Sequence, residues 1–588
     1  MRNAFIKGIL NTRGAIDPLP IIRTAREYTA EKAAGDIRAG ISVAMLTFSM
    51  SIAYAMIAGL PVMYGLFGGI AAAYFSCVFS SSRFIMFGPS NASAVMLMSA
   101  FASMGLDTEA QRVAAVSAIV LLVGAFLVIA SLFKITNFVR YVSRTVVTGY
   151  ITAGAMLIVA NQLNSALGIT SVKGSSGQLF SSLNRTFAHI SDANCDAIGL
   201  SLAAIAILFA CKRFFKKLPA QAVALVGAAA ICAALKGPLG IEVAYLDSVT
   251  VSDWALTLPD FEAVPFRSLA LAALAVSLFC VIESTSIGKS LAAKNAERLN
   301  TNQELFSLGM ANIGASLLSG TVESGSLTRS AAGADAGTKT PFVNFFSATF
   351  MLAGILLFGS FIAYIPRPAL SAVVIVIAFT LFSKKAIKLA LRSTREDAVV
   401  FLLTFITGIT SSLDDAIYIG VAASIILFLK NASAPEVVEV AIGDNGLERK
   451  LDGPEGKEAP EISIVHVGGN LFFGASDVFQ DQMRRIYEAP SLKVLLLKLR
   501  NAINFDATSA ADLEEIAIQM RKRGGVLYLC EVMPDVMAAL KSSGVAKTIG
   551  EENIFANTEE NPTLSTALAL RAAKKYLSGK SSDVQIFV

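Results

Sequence analysis

From Ala39 to Ser82 the chain carries no charge. That is room for two membrane-crossing helices of about 20 residues each, with Gly59-Leu60-Pro61 as the turn between them. Arg83 marks a loop, and a helix opening at Pro89 or Ser90 runs only to about Met104. It is too short to span and reads as a half-helix that starts near mid-membrane. Apolar runs at 112–133, 141–167, 197–211 and 218–236 complete a first set. A second set follows at 268–288, 304–319, a short element at 326–337, then 341–364, 369–383, 397–412 and 416–430.

After Ala434-Pro435 the pattern changes. Asp444 to Pro460 reads as a charged linker. Strand-like runs at Ile462–Val467, Val494–Leu499 and Val526–Leu529 then alternate with helical patterns at Ser476–Tyr487, Thr508–Arg521 and Pro534–Ser542. That alternation predicts a small α/β domain with a mostly parallel, buried sheet over residues 435–588.

Loop charge predicts orientation. Basic residues gather at Lys134–Arg144, Lys212–Lys217, Lys289–Arg298 and Lys384–Arg395, whereas Gly237–Pro265 carries five carboxylates and no Lys or Arg. The positive-inside rule places both termini in the cytoplasm. Residues 1–36 read as a cytoplasmic segment near the membrane, without the basic end, apolar run and cleavage site of a signal peptide. The first helix then starts inside and the 268–288 helix outside, so the halves, 37–236 and 266–432 of a 37–432 transport domain, have opposite polarity. Each has a short interrupted helix as its third element, the pattern of inverted-repeat transporters that bind substrate at the midplane.

The chemistry sits at those short elements. One is Gly88–Val95, GPSNASAV; the other lies in Gly320–Gly333, GTVESGSLTRSAAG. Gly325 and Ser326 look like a helix start, a flexible residue followed by a capping one. A helix start inside the membrane presents free donors and about half a positive charge. Arg329, one turn in, adds a full charge where insertion costs about 2.5–3.5 kcal/mol, so it marks a functional site unless it snorkels or pairs with Glu323 or Asp335. Two such tips and Arg329 sum to a field of about two positive charges, suited to a small anion. Glu283 and Glu323 are the intramembrane carboxylates that could carry a coupling proton.

Composition narrows the classes. Hydrophobic residues make up 54% of the 588, charged residues only 16%, and mean hydropathy is +0.62, so this is a polytopic membrane protein. Two histidines, His189 and His466, leave almost no room for histidine triads or metal sites. The six cysteines form no C-x-x-C pair and read as free, mostly buried thiols. No nucleotide loop or metal cluster points to an enzyme, no cofactor is implied, and the basic residues flank the membrane rather than form a nucleic-acid surface.

Several motifs, in order, resemble the SulP sulfate permease family, solute carrier family 26 in animals. They are Gly35-Asp36 with Ala39-Gly40, Ala53–Phe67 (AYAMIAGLPVMYGLF), Phe138–Gly154, Glu283, Asn302–Ile313 (NQELFSLGMANI), Gly325–Ala331 and Ala336–Pro341. The tail resembles STAS domains at Val494–Leu513 and Arg521–Val532. The resemblance implies about fourteen membrane segments as two inverted seven-segment repeats, a cytosolic STAS domain and a homodimer. It places the anion between the half-helix starts, against Tyr54, Ser90, Leu327, Thr328 and Arg329, with Ser326 at the start of the second. Many relatives carry Pro-Gln where this chain has Ser49 and Met50; the lost amide leaves Ser49, Ser51 and Asn91 as polar groups nearby. By resemblance Glu283 carries a proton or helps to bind Na⁺, and Glu323 stands where relatives usually have a small residue. STAS relatives that are switched by phosphorylation carry a Ser after the Asp; here Ala507 follows Asp506.

The function expected is proton-coupled secondary active transport of a small anion, sulfate or another inorganic anion first, across a bacterial inner membrane. The alternatives are Na⁺-coupled bicarbonate or a dicarboxylate as cargo, or an uncoupled anion channel or a STAS-linked sensor.

Overall fold

The computed structural model describes residues 16–135, 143–169, 178–215, 219–239, 242–262, 264–442, 448–450, 461–558 and 562–578. The start of the N-terminal segment, the middle of the polar loop after Gly168, Lys216-Lys217, part of the Lys134–Arg144 cluster and most of the 444–460 linker lie outside the described residues. The chain divides into two compact units, Met1–Ser424 and Ile425–Val588.

The first unit is helical. Its first half is built from α1 (Ala30–Ala58), α2 (Val62–Phe79), β1 (Phe87–Pro89), α3 (Asn91–Ser103), α4 (Glu109–Leu132), α5 (Arg144–Ala166), α6 (Cys195–Phe214) and α7 (Ala220–Leu239). The second runs α8 (Phe266–Lys294), α9 (Thr301–Leu317), β2 (Glu323–Gly325), α10 (Leu327–Asp335), α11 (Phe342–Phe358), α12 (Arg367–Leu381), α13 (Arg395–Thr410) and α14 (Leu413–Ala432), which continues into the second unit. Each half thus places a short strand and half-helix third; among the described residues a further short helix, Leu179–Ala188, lies in the first half where the sequence reads as a polar loop. Eight helices among the described residues are long and apolar enough to cross a membrane; α3 and α10 are not.

Local chemistry sets the ends. Gly59 closes α1 at φ +70°, a left-handed turn open to glycine, and the Thr108 side chain caps α4 in a reciprocal pair with Gln111. The expected 341–364 helix stops at Phe358 and finishes as a 3₁₀ turn, Gly359–Tyr364. Part of the basic run 384–395 is a short helix, Lys384–Arg392.

Between helices the contacts are close because small residues line them. A Cβ on Gly124 of α4 would lie 2.8 Å from the Gly309 carbonyl oxygen, and one on Gly309 of α9 would lie 2.9 Å from that of Gly124. In lipid, where the hydrophobic drive between helices is weak, such backbone proximity supplies the packing. At one end of the unit Asp36 accepts from the backbone N–H groups of Lys339 (2.7 Å) and Thr340 (3.0 Å) and from the Thr340 hydroxyl. The Gly35-Asp36 and Ala336–Pro341 motifs, one from each half, therefore meet.

The second unit has strands β3 (Glu436–Ile442), β4 (Glu448–Lys450), β5 (Ile462–Asn470), β6 (Val494–Ile503), β7 (Val526–Val532) and β8 (Ile554–Ala556), in the order β4-β3-β5-β6-β7-β8. β5 to β8 are parallel and β3 is antiparallel to its neighbours. Helices α15 (Ser476–Tyr487), α16 (Ala507–Lys522), α17 (Pro534–Ser543) and α18 (Pro562–Ser578) accompany the sheet. β3, β8 and α18 were not expected from the sequence. In β3 the charged Glu436 and Glu439 interrupt the apolar pattern, and β8 is too short to show a period.

Asp506 caps α16. It accepts from the Ser509 N–H (2.9 Å) and hydroxyl (3.1 Å) and, at its other oxygen, from the Phe473 N–H (2.8 Å). Partial burial pushes its carboxyl up, but these bonds together with the Thr508 N–H outweigh that and hold it below the usual carboxylate range.

Two outcomes follow for stability. Gly124→Leu forces α4 and α9 apart at a cost of about 1–3 kcal/mol, read as a lower thermal-unfolding midpoint in detergent; an unchanged midpoint would mean that the helices are not in contact there. Asp506→Ala removes a cap worth about 1 kcal/mol at neutral pH. Because the carboxyl is depressed in the fold, its contribution is present above the unfolded-state value and lost as pH falls through the folded one. The gap between wild type and variant in unfolding of the C-terminal unit should therefore close on acidification; a gap that widens would contradict the cap.

Candidate functional site

β1 and β2 are three residues each, one from each half. They pair antiparallel, Phe87 opposite Gly325, Gly88 opposite Ser324 and Pro89 opposite Glu323. Each leads straight into its half-helix. Ser90 caps α3 by accepting from the Ser93 N–H (3.1 Å), with the Ser93 hydroxyl answering the Ser90 N–H (3.2 Å). Ser326 caps α10 by accepting from the Arg329 N–H (3.4 Å). Helix geometry leaves the N–H groups of Leu327 and Thr328 without an intrahelical acceptor. Because the strands run antiparallel, α3 leaves one end of this three-residue pair and α10 the other, so the two tips flank it.

Side chains finish the seam. Asn312 of α9 clamps Glu323 on both sides, its amide donating to the Glu323 carbonyl (3.0 Å) and its oxygen accepting from the Glu323 N–H (2.9 Å). The Ser284 hydroxyl accepts from the Gly325 N–H (3.0 Å), the Ser330 hydroxyl from the Met86 N–H (2.9 Å), and the Ser93 hydroxyl donates to the Val322 carbonyl (3.2 Å). Asn312, Ser284, Ser330 and Ser93 did not stand out as site residues in the sequence. The signal was available in Asn312, an amide inside the uncharged run Leu305–Val322.

Arg329 is fully buried. Its guanidinium donates to the Pro89 carbonyl of β1 and the Ser324 carbonyl of β2, bridging the strands, while its Nε has no partner. It lies where a side chain on Gly88 would be, a Cβ there falling 3.0 Å from Cζ. Arg329 therefore sits within the strand pair, beside both tips, rather than on their open face. It neither snorkels to a surface nor ion-pairs within hydrogen-bonding range of Glu323, whose two carboxylate oxygens have no partner.

Glu283 of α8 ties the α3 tip to β2 from another side. One of its oxygens accepts from the Ser324 hydroxyl (2.5 Å) and from Ser90 (3.3 Å). Tyr54 of α1 is buried. On the open face Leu327 and Thr328 are exposed, and Asn91 and Ser326 are half-buried. Ser49 and Met50 are buried within α1; the Ser49 hydroxyl turns back onto the Leu46 (3.1 Å) and Met45 (3.4 Å) carbonyls of its own helix. Asn91 spends its oxygen on the Ala92 N–H (2.8 Å).

A cavity of about 850 Å³ opens at the end of the bundle marked by Gly59–Pro61, Asp107–Glu109 and Asn161–Ser165, with Arg112 and Arg367 in its wall. None of the candidate site residues read from the sequence lines it. Among the described residues no cluster of metal-ligating side chains occurs.

Comparison with known proteins gives a consistent picture. The sulfate permease family's sequence profile matches residues 34–404, and that of the STAS domain matches 454–561. A probable sulfate transporter of Mycobacterium tuberculosis is 24% identical over 545 residues, covering 90% of this chain and 95% of that protein. A sodium-independent sulfate anion transporter of Bos taurus is 25% identical over 562 residues, covering 89% and 88%. Among solved structures, the murine Solute Carrier 26 family member A9 anion transporter in its inward-facing state superposes with a TM-score of 0.82 at 16% identity, covering 96% of this chain and 95% of that one. The transmembrane domain of a cyanobacterial bicarbonate transporter, BicA, superposes at 0.59 and 20% identity, covering 68% and 98%. With a family profile matching well over half its length, this integral membrane chain, which ends in a STAS domain, belongs to the sulfate permease family of anion transporters.

Proposed function

We propose that the protein is a proton-coupled secondary transporter of small inorganic anions, sulfate first, whose substrate binds at the open face of the two half-helix starts. The observation that carries this is the β1–β2 pair, which brings both positive helix ends and Arg329 to one place. The anion is held by the free N–H groups of Leu327 and Thr328, by the Thr328 hydroxyl and by the α3 tip at Ser90 and Asn91. Arg329 contributes charge from beneath and fixes the spacing of the tips through Pro89 and Ser324. Tyr54 closes one wall. Ser49 and Met50 shape the α1 side of the pocket without donating, so anion selection falls on the backbone donors and Thr328.

Transport follows if the strand pair and its half-helices move as one body against the remaining helices, exposing the same tips to either side. The 850 Å³ cavity is then the vestibule of one side. The loop charges favour that end lying outside and both termini in the cytoplasm, in a bacterial inner membrane; the working unit is a homodimer, and the chemistry calls for no enzymatic step. Glu283, bonded to the α3 cap and to β2, and Glu323, in β2 itself, are the carboxylates through which a proton gradient acts. The STAS domain, with Ala507 after its capping Asp506, serves assembly or regulation rather than a phosphorylation switch there.

In proteoliposomes, an inward proton gradient should drive sulfate uptake. Anion current that needs no gradient coupling would instead make the protein a channel, and uptake driven only by Na⁺ would favour the bicarbonate-type reading. Arg329→Met removes the charge but keeps most of the stem. Losing a charged hydrogen-bonding group costs about 1.5–3 kcal/mol, so uptake at low sulfate should fall roughly 10- to 100-fold, with Arg329→Lys retaining more. A folded, monodisperse Arg329→Met protein with wild-type KM would remove Arg329 from the site.

A further inference from the structure

Glu323 is a second charge problem at the same place. It is fully buried, its backbone is held at both ends by Asn312, and its carboxylate packs against α2, where a Cβ on Gly68 would meet its Oε1 at 2.4 Å. Neither carboxylate oxygen has a hydrogen-bonding partner. Arg329 is equally buried, is satisfied only by neutral carbonyls and keeps an unpaired Nε–H. An ionised carboxylate and a guanidinium, both out of water and unshielded, interact far more strongly than the same pair at a surface. The other titratable groups near this compartment among the described residues are Glu283 and Cys280 of α8, Tyr54 of α1 and Tyr150 of α5, whose ring packs on Phe279; Tyr64 and Cys77 of α2 and Glu304 of α9 are also buried.

Building on the proposed anion site, we infer that Glu323 is a proton-switched counter-charge to Arg329, and that its proton is the one carried with the anion. With Glu323 protonated, the field of Arg329 and the two helix ends is uncompensated, and an anion binds. With Glu323 ionised, the guanidinium is neutralised from behind, and the anion is released. Binding of proton and anion is then mutually favourable, because a coupling free energy acts equally in both directions. The proton need not touch the anion; it acts through the charge balance of one buried pair. The step is a plain proton transfer, one H⁺ taken up by a Glu323 oxygen from the side to which the site is open and given up on the other, with no covalent change.

The test uses the purified full-length protein and sulfate as the probe. Wild-type sulfate affinity, measured by calorimetry from pH 8 to pH 6, should rise by up to tenfold per pH unit over the range in which the pair titrates, with proton uptake on binding in weakly buffered solution. Glu323→Gln should bind sulfate at every pH about as tightly as acidic wild type, take up no proton, keep sulfate exchange in proteoliposomes and lose accumulation driven by a proton gradient. Glu323→Thr, smaller and neutral, should behave the same way if the Gln variant does not fold. A wild-type pH slope retained in a folded neutral variant would overturn the inference, the more so if Glu283→Gln abolishes it. Absence of sulfate binding to wild type at any pH would overturn the anion site itself, a failure separable from that of the switch.

Discussion

A backbone at membrane depth has no water to satisfy it, so every N–H and C=O must find a partner within the protein. That constraint governs this structure. Two helices are broken in the middle of the transmembrane unit, and each break leaves a short run of backbone without helical bonds. The runs solve the problem together: Phe87–Pro89 pairs with Glu323–Gly325, and Asn312, Ser284, Ser330 and Ser93 take up donors and acceptors that the strands leave over. Because one strand comes from each half, the repeats are joined by a short antiparallel pair from whose two ends the helix dipoles emerge. The arrangement that makes the broken helices tolerable is the same one that concentrates positive potential there.

Charge then has to be balanced in the same small volume. Arg329 is held by two backbone carbonyls, Glu283 by two serine hydroxyls, and Glu323 by nothing. Buried charges are expensive unless paired, so such a site is poised: adding an anion or moving a proton changes which arrangement is cheapest. A fully compensated cluster would be more stable and would carry nothing. The small residues around it, Gly88 against the guanidinium and Gly68 against Glu323, leave room for those side chains next to backbone. The same device brings α4 and α9 together at Gly124 and Gly309.

Much of this was legible in the sequence. Long uncharged runs fix helices to within a few residues because a bilayer demands length and apolarity, and the capping serines Ser90 and Ser326 announced both half-helices at the right places. Opposite loop charge gave the two halves opposite polarity. What could not be read was direction. Arg329 was expected to face the substrate and instead lies within the strand pair, because a helix start says where a side chain begins and not which side of a pairing it takes. Ser49 looked like a replacement donor, yet in an α-helix its hydroxyl falls back on the carbonyls of the previous turn. The seam residues were hidden for a related reason: a serine or asparagine in an apolar helix acquires its role only when the partner strand is known. In the C-terminal unit, β3 was missed because Glu436 and Glu439, three residues apart, break its apolar run.

Where a bound anion sits is the most direct check on this picture. Selenate, a heavier isostere of sulfate, can be located by its anomalous scattering in crystals of the full-length protein. Its density should lie within about 3 Å of the first free N–H groups of α3 and α10, next to Thr328 and Asn91, with Arg329 behind the strand pair. Density confined to the cavity lined by Arg112 and Arg367, with the half-helix starts unoccupied at saturating selenate, would contradict it.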